Sequence, residues 1–318
     1  MNIVVLDGYT LNPGDNPWDG ISKFGALTVY DRTPADKIVE RAKDAEIILT
    51  NKTPLSAETI AALPKLRFIS VLATGYNIVD VKAAEQRGIA VSNVPIYGTD
   101  TVAEFVLSLI LDFTKKPSLH DSLVKDGKWT ECMDFCFWQN PNFSELAGKT
   151  IGIVGFGRIG QRVGELANAF RMKILANDNW HGAKTSYSFE WRELEELFTE
   201  ADFVSLHCPL TPENEGMVNS RLLSRMKKTA FLVNTARGPL VVEADLAEAL
   251  NADTIAGAAC DVVSREPIRS DNPLLKAKNI TITPHIAWAA LEGRQRLMAT
   301  TVENIAAFME GKPQNVVK

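Results

Sequence analysis

The 318 residues predict an α/β protein of two domains, each a doubly wound parallel sheet. Three observations predict it. The length suits about two domains. Short apolar runs alternate with helical patterns along almost the whole chain. At residues 149–164 an apolar run enters a turn spaced G-x-G-x-x-G, and a helical pattern follows.

Taken in order, the first β/α region covers residues 1–98. Strands are expected at 3–6, 47–49, 68–72 and 89–91, with helical patterns at 34–43, 56–63 and 79–87 between them. Residues 100–115 form the most apolar helical pattern, with Thr99 or Asp100 as cap. A helix apolar over most of its circumference is buried between layers or domains, and it reads as the crossover between the two. Residues 128–146 lack periodicity but hold Trp129, Phe135, Phe137, Trp138 and Phe143. They read as an arm packed on its own domain or on a second subunit; a sharper alternative has Trp138 walling an active site. The second region, 99–285, offers strands at 149–154, 172–176, 202–206, 229–234, 254–260 and 280–282. Residues 289–310 read as a long last helix, and segment 286–318 is expected to return to the first domain.

Within the glycine-rich turn each glycine has a physical task. Gly155 permits the sharp strand-to-helix turn. Gly157 lacks a Cβ, so a pyrophosphate can approach the backbone, and Gly160 lets helix and strand pack closely. The free N–H groups of the helix start then favour an anion. A second strand ends at Asp178, 18 residues after Gly160, where a carboxylate can accept from ribose hydroxyls. Its charge would repel a 2′-phosphate, so the expected cofactor is NAD rather than NADP.

The composition is that of an ordinary globular protein. A net charge of −5 gives no reason to expect nucleic acid or an anionic membrane as partner. No apolar run approaches the roughly 20 residues of a membrane span, and the N-terminus reads as a first strand rather than a signal peptide. Four cysteines make no disulfide framework, so a cytoplasmic, reduced setting is expected. Cys132 and Cys136 have no second ligand pair, and no metal is expected. Cys208 and Cys260 read as small buried apolar groups.

Ligands of a doubly wound sheet bind beyond the carboxyl ends of its strands. Three polar residues fall at such ends: Arg237 in Asn234-Thr-Ala-Arg-Gly, Glu266 in Asp261-Val-Val-Ser-Arg-Glu-Pro, and His285 in Pro284-His-Ile-Ala-Trp. One cation, one carboxylate and one imidazole make a plausible site for proton transfer. His120 and His181 show no partner in the sequence and read as surface groups.

This ordered set resembles the D-isomer-specific 2-hydroxyacid dehydrogenases. Ala73-Thr-Gly-Tyr-Asn-x-Val-Asp80 and Leu206-His-Cys-Pro-Leu-Thr-Pro-Glu-Asn214 add to the match, which runs over residues 45–310. Within the family, Pro284-His-Ile-Ala-Trp and Ala73-Thr-Gly-Tyr-Asn look most like the glycerate dehydrogenase (hydroxypyruvate reductase) branch. The resemblance implies a Rossmann nucleotide-binding domain and a flavodoxin-like substrate domain, with a cleft between them.

It also implies roles. His285 would donate a proton to the C2 oxygen of a 2-keto acid and take it back in the reverse direction. Glu266 would orient the ring and favour its cation. Arg237 would bind the substrate carboxylate and polarise the carbonyl. Backbone N–H groups near Thr74, Gly75 and Tyr76 would hold the carboxylate from the first domain. Arg158 and Ile159, between the glycines, would join Gly155, Gly157, Gly160 and Asp178 around NAD. So would His207, Pro209, Thr235 and Ala236, with Asp261 near the nicotinamide amide. His207 has a second reading as a structural histidine packed beneath the cofactor. The expected reaction is NADH-dependent reduction of hydroxypyruvate or glyoxylate to the D-2-hydroxy acid, and its reverse. D-lactate or another D-2-hydroxy acid is an alternative substrate, and a non-catalytic NAD-sensing regulator is an alternative of another class. Family members are commonly dimers joined through the nucleotide domain, and the 118–146 arm would suit a homodimer.

Overall fold

Parallel strands cannot be joined by tight turns, so each needs a crossover that covers a face of the sheet. In the computed structural model, which describes residues 1–318, that rule builds two units: Met1–Gly98 with Trp288–Lys318, and Thr99–Ala287.

The first unit holds β1 (Asn2–Val5), α1 (Asp19–Ser22), β2 (Ala26–Val29), α2 (Ile38–Ala42), β3 (Ile47–Thr50), α3 (Ala57–Ala61), β4 (Phe68–Val71), α4 (Val81–Gln86) and β5 (Ala90–Ser92). Its sheet is parallel throughout, in the order β2-β1-β3-β4-β5. The second unit holds α5 (Thr99–Lys115), α6 (Pro117–Lys125), β6 (Thr150–Val154), α7 (Arg158–Ala169), β7 (Lys173–Asn177), β8 (Glu190–Trp191), α8 (Leu194–Glu200), β9 (Phe203–Leu206), α9 (Ser220–Leu223), β10 (Phe231–Asn234), α10 (Glu243–Asn251), β11 (Gly257–Cys260) and β12 (Ile280–Ile282). Its seven parallel strands run β12-β11-β10-β9-β6-β7-β8. The last helix, α11 (Leu291–Met309), belongs to the first unit.

Both sheets are apolar on both faces, as buried parallel sheets must be. In the first unit Ile3, Val5, Ile47, Leu49 and Phe68 face Leu297, Met298 and Ile305 of α11, and Phe68 stacks on Phe308 at 4.5 Å. Val4, Leu6, Ile48, Ile69 and Val91 face the other way, against Ile38, Ile60 and Leu63. The free edge of β5 is covered by the C-terminal tail, which pairs antiparallel at Ser92 and Val316. In the second unit Ile151, Ile153, Ile174, Phe203 and Val233 pack under α5 and α7, while Val204, Leu206, Leu232 and Ala258 meet α8 and α10.

Several expectations need correction. β2 was not visible in the sequence because it is an edge strand, mostly exposed, with no buried run to announce it. Two-residue β8 is too short to show a period. The 34–43 pattern splits into a 3-10 turn at Ala35–Lys37 followed by α2. Asp100 pairs with Arg162 of α7 at 2.7 Å. The buried stripe of α5 packs inside the second unit, where Phe113 stacks on Phe231 at 4.1 Å. The aromatic arm has no regular structure. It is tied down at its far end, where Asn140 donates to the carbonyls of Phe113 and Thr114 and Lys115 donates to that of Ser144. Its tip does not pack on its own unit: Met133, Phe135 and Trp138 are exposed.

Candidate active site

The carboxyl ends of the second unit's strands form a row: Asp178 after β7, Gly155 after β6, His207 after β9, Arg237 after β10, Asp261 and Glu266 after β11, His285 after β12. The strand order reverses between β6 and β9, the crevice where such sheets take ligands. Asp178 and Arg237 follow strands three steps apart, about 14 Å at the usual inter-strand spacing.

At the glycine turn the three positions differ as their tasks require. Gly155 has φ +90°, and a Cβ there would collide with the backbone of His207 and Cys208. A Cβ on Gly160 would strike the Gly155 carbonyl. A Cβ on Gly157 would meet nothing within 4 Å, so the backbone at the start of α7 lies open. Beside it, Arg158 is exposed and Ile159 half-buried. Asp178 accepts from the N–H groups of Phe156 (2.6 Å) and Trp180 (3.0 Å), which leaves two carboxylate lone pairs for another donor.

The loop after β9 is held by the His207 N–H, which donates to the Val154 carbonyl at 2.7 Å. His207 Nε2 lies 2.8 Å from the hydroxyl of fully buried Ser205. The residue is partly exposed as a whole, but burial of the ring pushes its pKa down to about 3, and the imidazole is neutral. Exposed Pro209 gives its carbonyl to Asn214. Burial also raises the thiols of Cys208 and Cys260, that of Cys260 to about 12, so neither is a ready nucleophile. Cys208 is partly exposed rather than buried.

After β10, buried Asn234 braces the turn: its Oδ1 accepts from the Ala236 N–H and its Nδ2 donates to the Arg237 carbonyl. Thr235 Oγ1 is buried without a partner. The exposed Arg237 guanidinium donates to the Ala236 carbonyl at 2.7 Å.

Glu266 and His285 meet directly, Oε2 to Nδ1 at 2.6 Å. Two anchors build this end, Glu243, which the sequence reading missed, and Asp261, which it placed near the cofactor. Glu243, at the start of α10, accepts from the Ser264 N–H and hydroxyl and from Asn272, fixing the loop that carries Glu266. Asp261, 1 % exposed, accepts from the Thr283 hydroxyl (2.6 Å) and the N–H groups of Ile286 (2.9 Å) and Ala287 (2.8 Å). Its carbonyl also accepts from the His285 N–H. The His285 turn is thus wrapped around Asp261, and His285 itself has φ +55°.

The two histidines expected at the surface both have partners. His120 bonds the Lys116 carbonyl through Nδ1 and accepts from the Gln139 N–H through Nε2, tying the arm to α6. His181 bonds the Asp178 carbonyl and stacks on Trp191 at 4.4 Å. In the first unit, Asn93 donates to the Thr74 carbonyl and the Thr74 hydroxyl to that of Val94. The N–H groups of Gly75 and Tyr76 make no bond within the chain.

An open backbone at Gly157, an unpartnered Thr235 hydroxyl and an acceptor left on Asp178 fit a dinucleotide laid along the row, and the imidazole–carboxylate pair, with a guanidinium in the same row after β10, fits proton transfer at the far end. The class so defined is an NAD(P)-binding oxidoreductase on two parallel α/β sheets. Residues 107–287 match the family model for the D-isomer specific 2-hydroxyacid dehydrogenase NAD binding domain. The chain is 48 % identical over 321 residues to a hydroxypyruvate reductase of Blautia hydrogenotrophica, covering 100 % of this chain and 99 % of that protein. It is 41 % identical to a glycerate dehydrogenase of Methylorubrum extorquens, over 89 % of this chain and 88 % of that one. An acyclic imino acid reductase solved with NADPH and D-Arg superposes with a TM-score of 0.83 at 30 % identity, over all of both chains. The protein belongs to the D-isomer-specific 2-hydroxyacid dehydrogenase family.

Proposed function

We propose that the protein reduces a small 2-keto acid, hydroxypyruvate or glyoxylate, to its D-2-hydroxy acid with NADH, and runs the reverse reaction. The observation that carries this is the 2.6 Å contact of Glu266 with His285, after strands one and two steps from the strand that Arg237 follows. The names of the relatives above support the substrate class.

NAD, when bound, supplies and receives the hydride. The chain supplies the rest. Glu266 holds Nδ1, so Nε2 is the nitrogen that gives a proton to the C2 oxygen and recovers it in oxidation. Arg237 binds the carboxylate and draws charge from the carbonyl through its planar fork. The N–H groups of Gly75 and Tyr76, with Thr74 beside them, are the substrate-binding groups of the first unit, which serves as substrate domain. Along the row, the glycine turn with Arg158 and Ile159 receives the pyrophosphate and Asp178 the ribose hydroxyls; His207, Pro209, Thr235 and Ala236 lie under the remainder. Asp261 acts here through the turn it holds. Asp178 makes NAD the cofactor. The exposed Met133, Phe135 and Trp138 support a homodimer joined through the arm. Four unpaired thiols suit a reduced cytoplasm. No helix is long and apolar enough to cross a membrane.

The test is loss of NADH absorbance with hydroxypyruvate, glyoxylate and pyruvate in turn. Turnover should be fastest with one of the first two. The His285→Ala variant should keep its NADH affinity while kcat falls by a factor on the order of 10² or more. A variant as active as the parent would remove His285 from the chemistry, and no turnover of any keto acid would remove the function.

A further inference from the structure

A cavity of about 630 Å³ opens at the ends of β7 and β8, beside Asp178. Its lining includes Glu193, Glu196 and Glu200 as well as Asp178, and its one Lys or Arg is Arg192. Arg192 stands where a cation could meet a 2′-phosphate. Its N–H bonds the Ala176 carbonyl and its own carbonyl accepts from Asn177, the residue before Asp178. An arginine so placed beside the ribose carboxylate is the group with which a dinucleotide site accommodates a phosphate on that ribose.

Here the guanidinium is already engaged. Nε donates to Glu200 at 3.1 Å, Nη2 to Glu190 at 2.6 Å and Nη1 to the Trp191 carbonyl at 3.0 Å. The guanidinium is thereby held between Glu190, the first residue of β8, and Glu200, the last residue of α8. With Arg192 matched by Glu200, the lining still holds Asp178, Glu193 and Glu196 uncompensated. We propose that Glu190 and Glu200 are specificity-determining residues that exclude the 2′-phosphate by sequestering Arg192, so that cofactor choice does not rest on Asp178 alone. This deepens the NAD reading above and rests on it. The pairs are more than a quarter exposed at every member, so the effect is a tunable bias that salt weakens.

The experiment is equilibrium titration of NADH and of NADPH into the whole protein without keto acid, read by calorimetry, for the parent and for Glu190→Gln/Glu200→Gln with Asp178 intact. The parent's ratio of the two Kd values tests the NAD reading: equal values would sink it. The double variant tests the proposal: NADPH should gain at least fivefold in affinity relative to NADH, and adding Arg192→Gln should abolish the gain. Single Glu200→Gln, an amide in place of a half-exposed carboxylate, should show part of the gain and guards against a misfolded double variant. An unchanged ratio in both variants, with Asp178→Ser alone shifting it, would overturn the proposal. So would a gain that survives the loss of Arg192.

Discussion

Gly155 and His285 both leave a strand of the same sheet with positive φ, +90° and +55°. The first turn relieves the conformation by having no Cβ, and the space that a Cβ would need is filled by the backbone of residues 207–208. At the second turn the side chain is itself the proposed proton donor, so glycine cannot serve there. A left-handed histidine is held instead by external bonds: one carboxylate, Asp261, collects three donors from residues 283–287, and its carbonyl collects the fourth. One turn is specified by an absence that any reader of the sequence can see. The other is specified by a buried acid 24 residues upstream. The comparison teaches that a left-handed turn built on glycine and one built on a histidine need different supports, and that they should fail differently.

The largest difference should appear at Gly155→Ala. The methyl would meet backbone that cannot swing aside, at a φ that alanine rarely adopts, so a loss of more than about 4 kcal/mol is expected. Urea unfolding of any soluble fraction measures it, and a loss under about 1 kcal/mol would show that the 207–208 loop gives way. Asp261→Asn should come next, with a loss of about 2–4 kcal/mol, since an amide cannot accept all three donors and carries no charge. Because the turn positions His285, kcat should fall about tenfold with little change in NADH affinity. A stable variant with parental kcat would mean that the turn keeps its shape unaided.

His207 tests the middle of the row. The native ring, pushed down to about 3, refuses a proton that the unfolded chain accepts below about 6.5. Protons bound preferentially by the unfolded state make stability fall as pH falls through that window. The loss reaches about 2 kcal/mol at pH 5 for one such group. His207→Gln should flatten the decline of the urea midpoint between pH 7 and 5, and identical slopes would place the acid sensitivity elsewhere.

The same contrasts decide how much of the molecule is legible in its sequence. Two parallel sheets were legible because their strands are buried on both faces and appear as apolar runs; β2 was not, because solvent on an edge strand demands no such run. At the site, glycine spacing and strand-end polar residues were visible because local geometry dictates residue type. Glu243 and Thr283 were not visible, and Asn234 was legible only as a motif letter without its bracing role, because each acts by satisfying a buried backbone or loop from a position that no period marks. His120 escaped for the same reason: its second partner, the Gln139 N–H, is 19 residues away.

The smallest effect on stability should come at Gly157, two residues from the most sensitive position. Its φ of −76° is open to any residue, and a methyl would meet nothing. Gly157→Ala should therefore change the unfolding free energy by no more than about 0.5 kcal/mol. If a pyrophosphate approaches this backbone, the same methyl should weaken NADH binding at least tenfold, because the phosphate must retreat from the N–H groups at the start of α7. Gly155→Ala would damage the fold and Gly157→Ala only the ligand, which separates a glycine kept for the chain's own packing from one kept for what the chain holds. Parental NADH affinity in Gly157→Ala would show that the open space at the helix start is not where the dinucleotide lies.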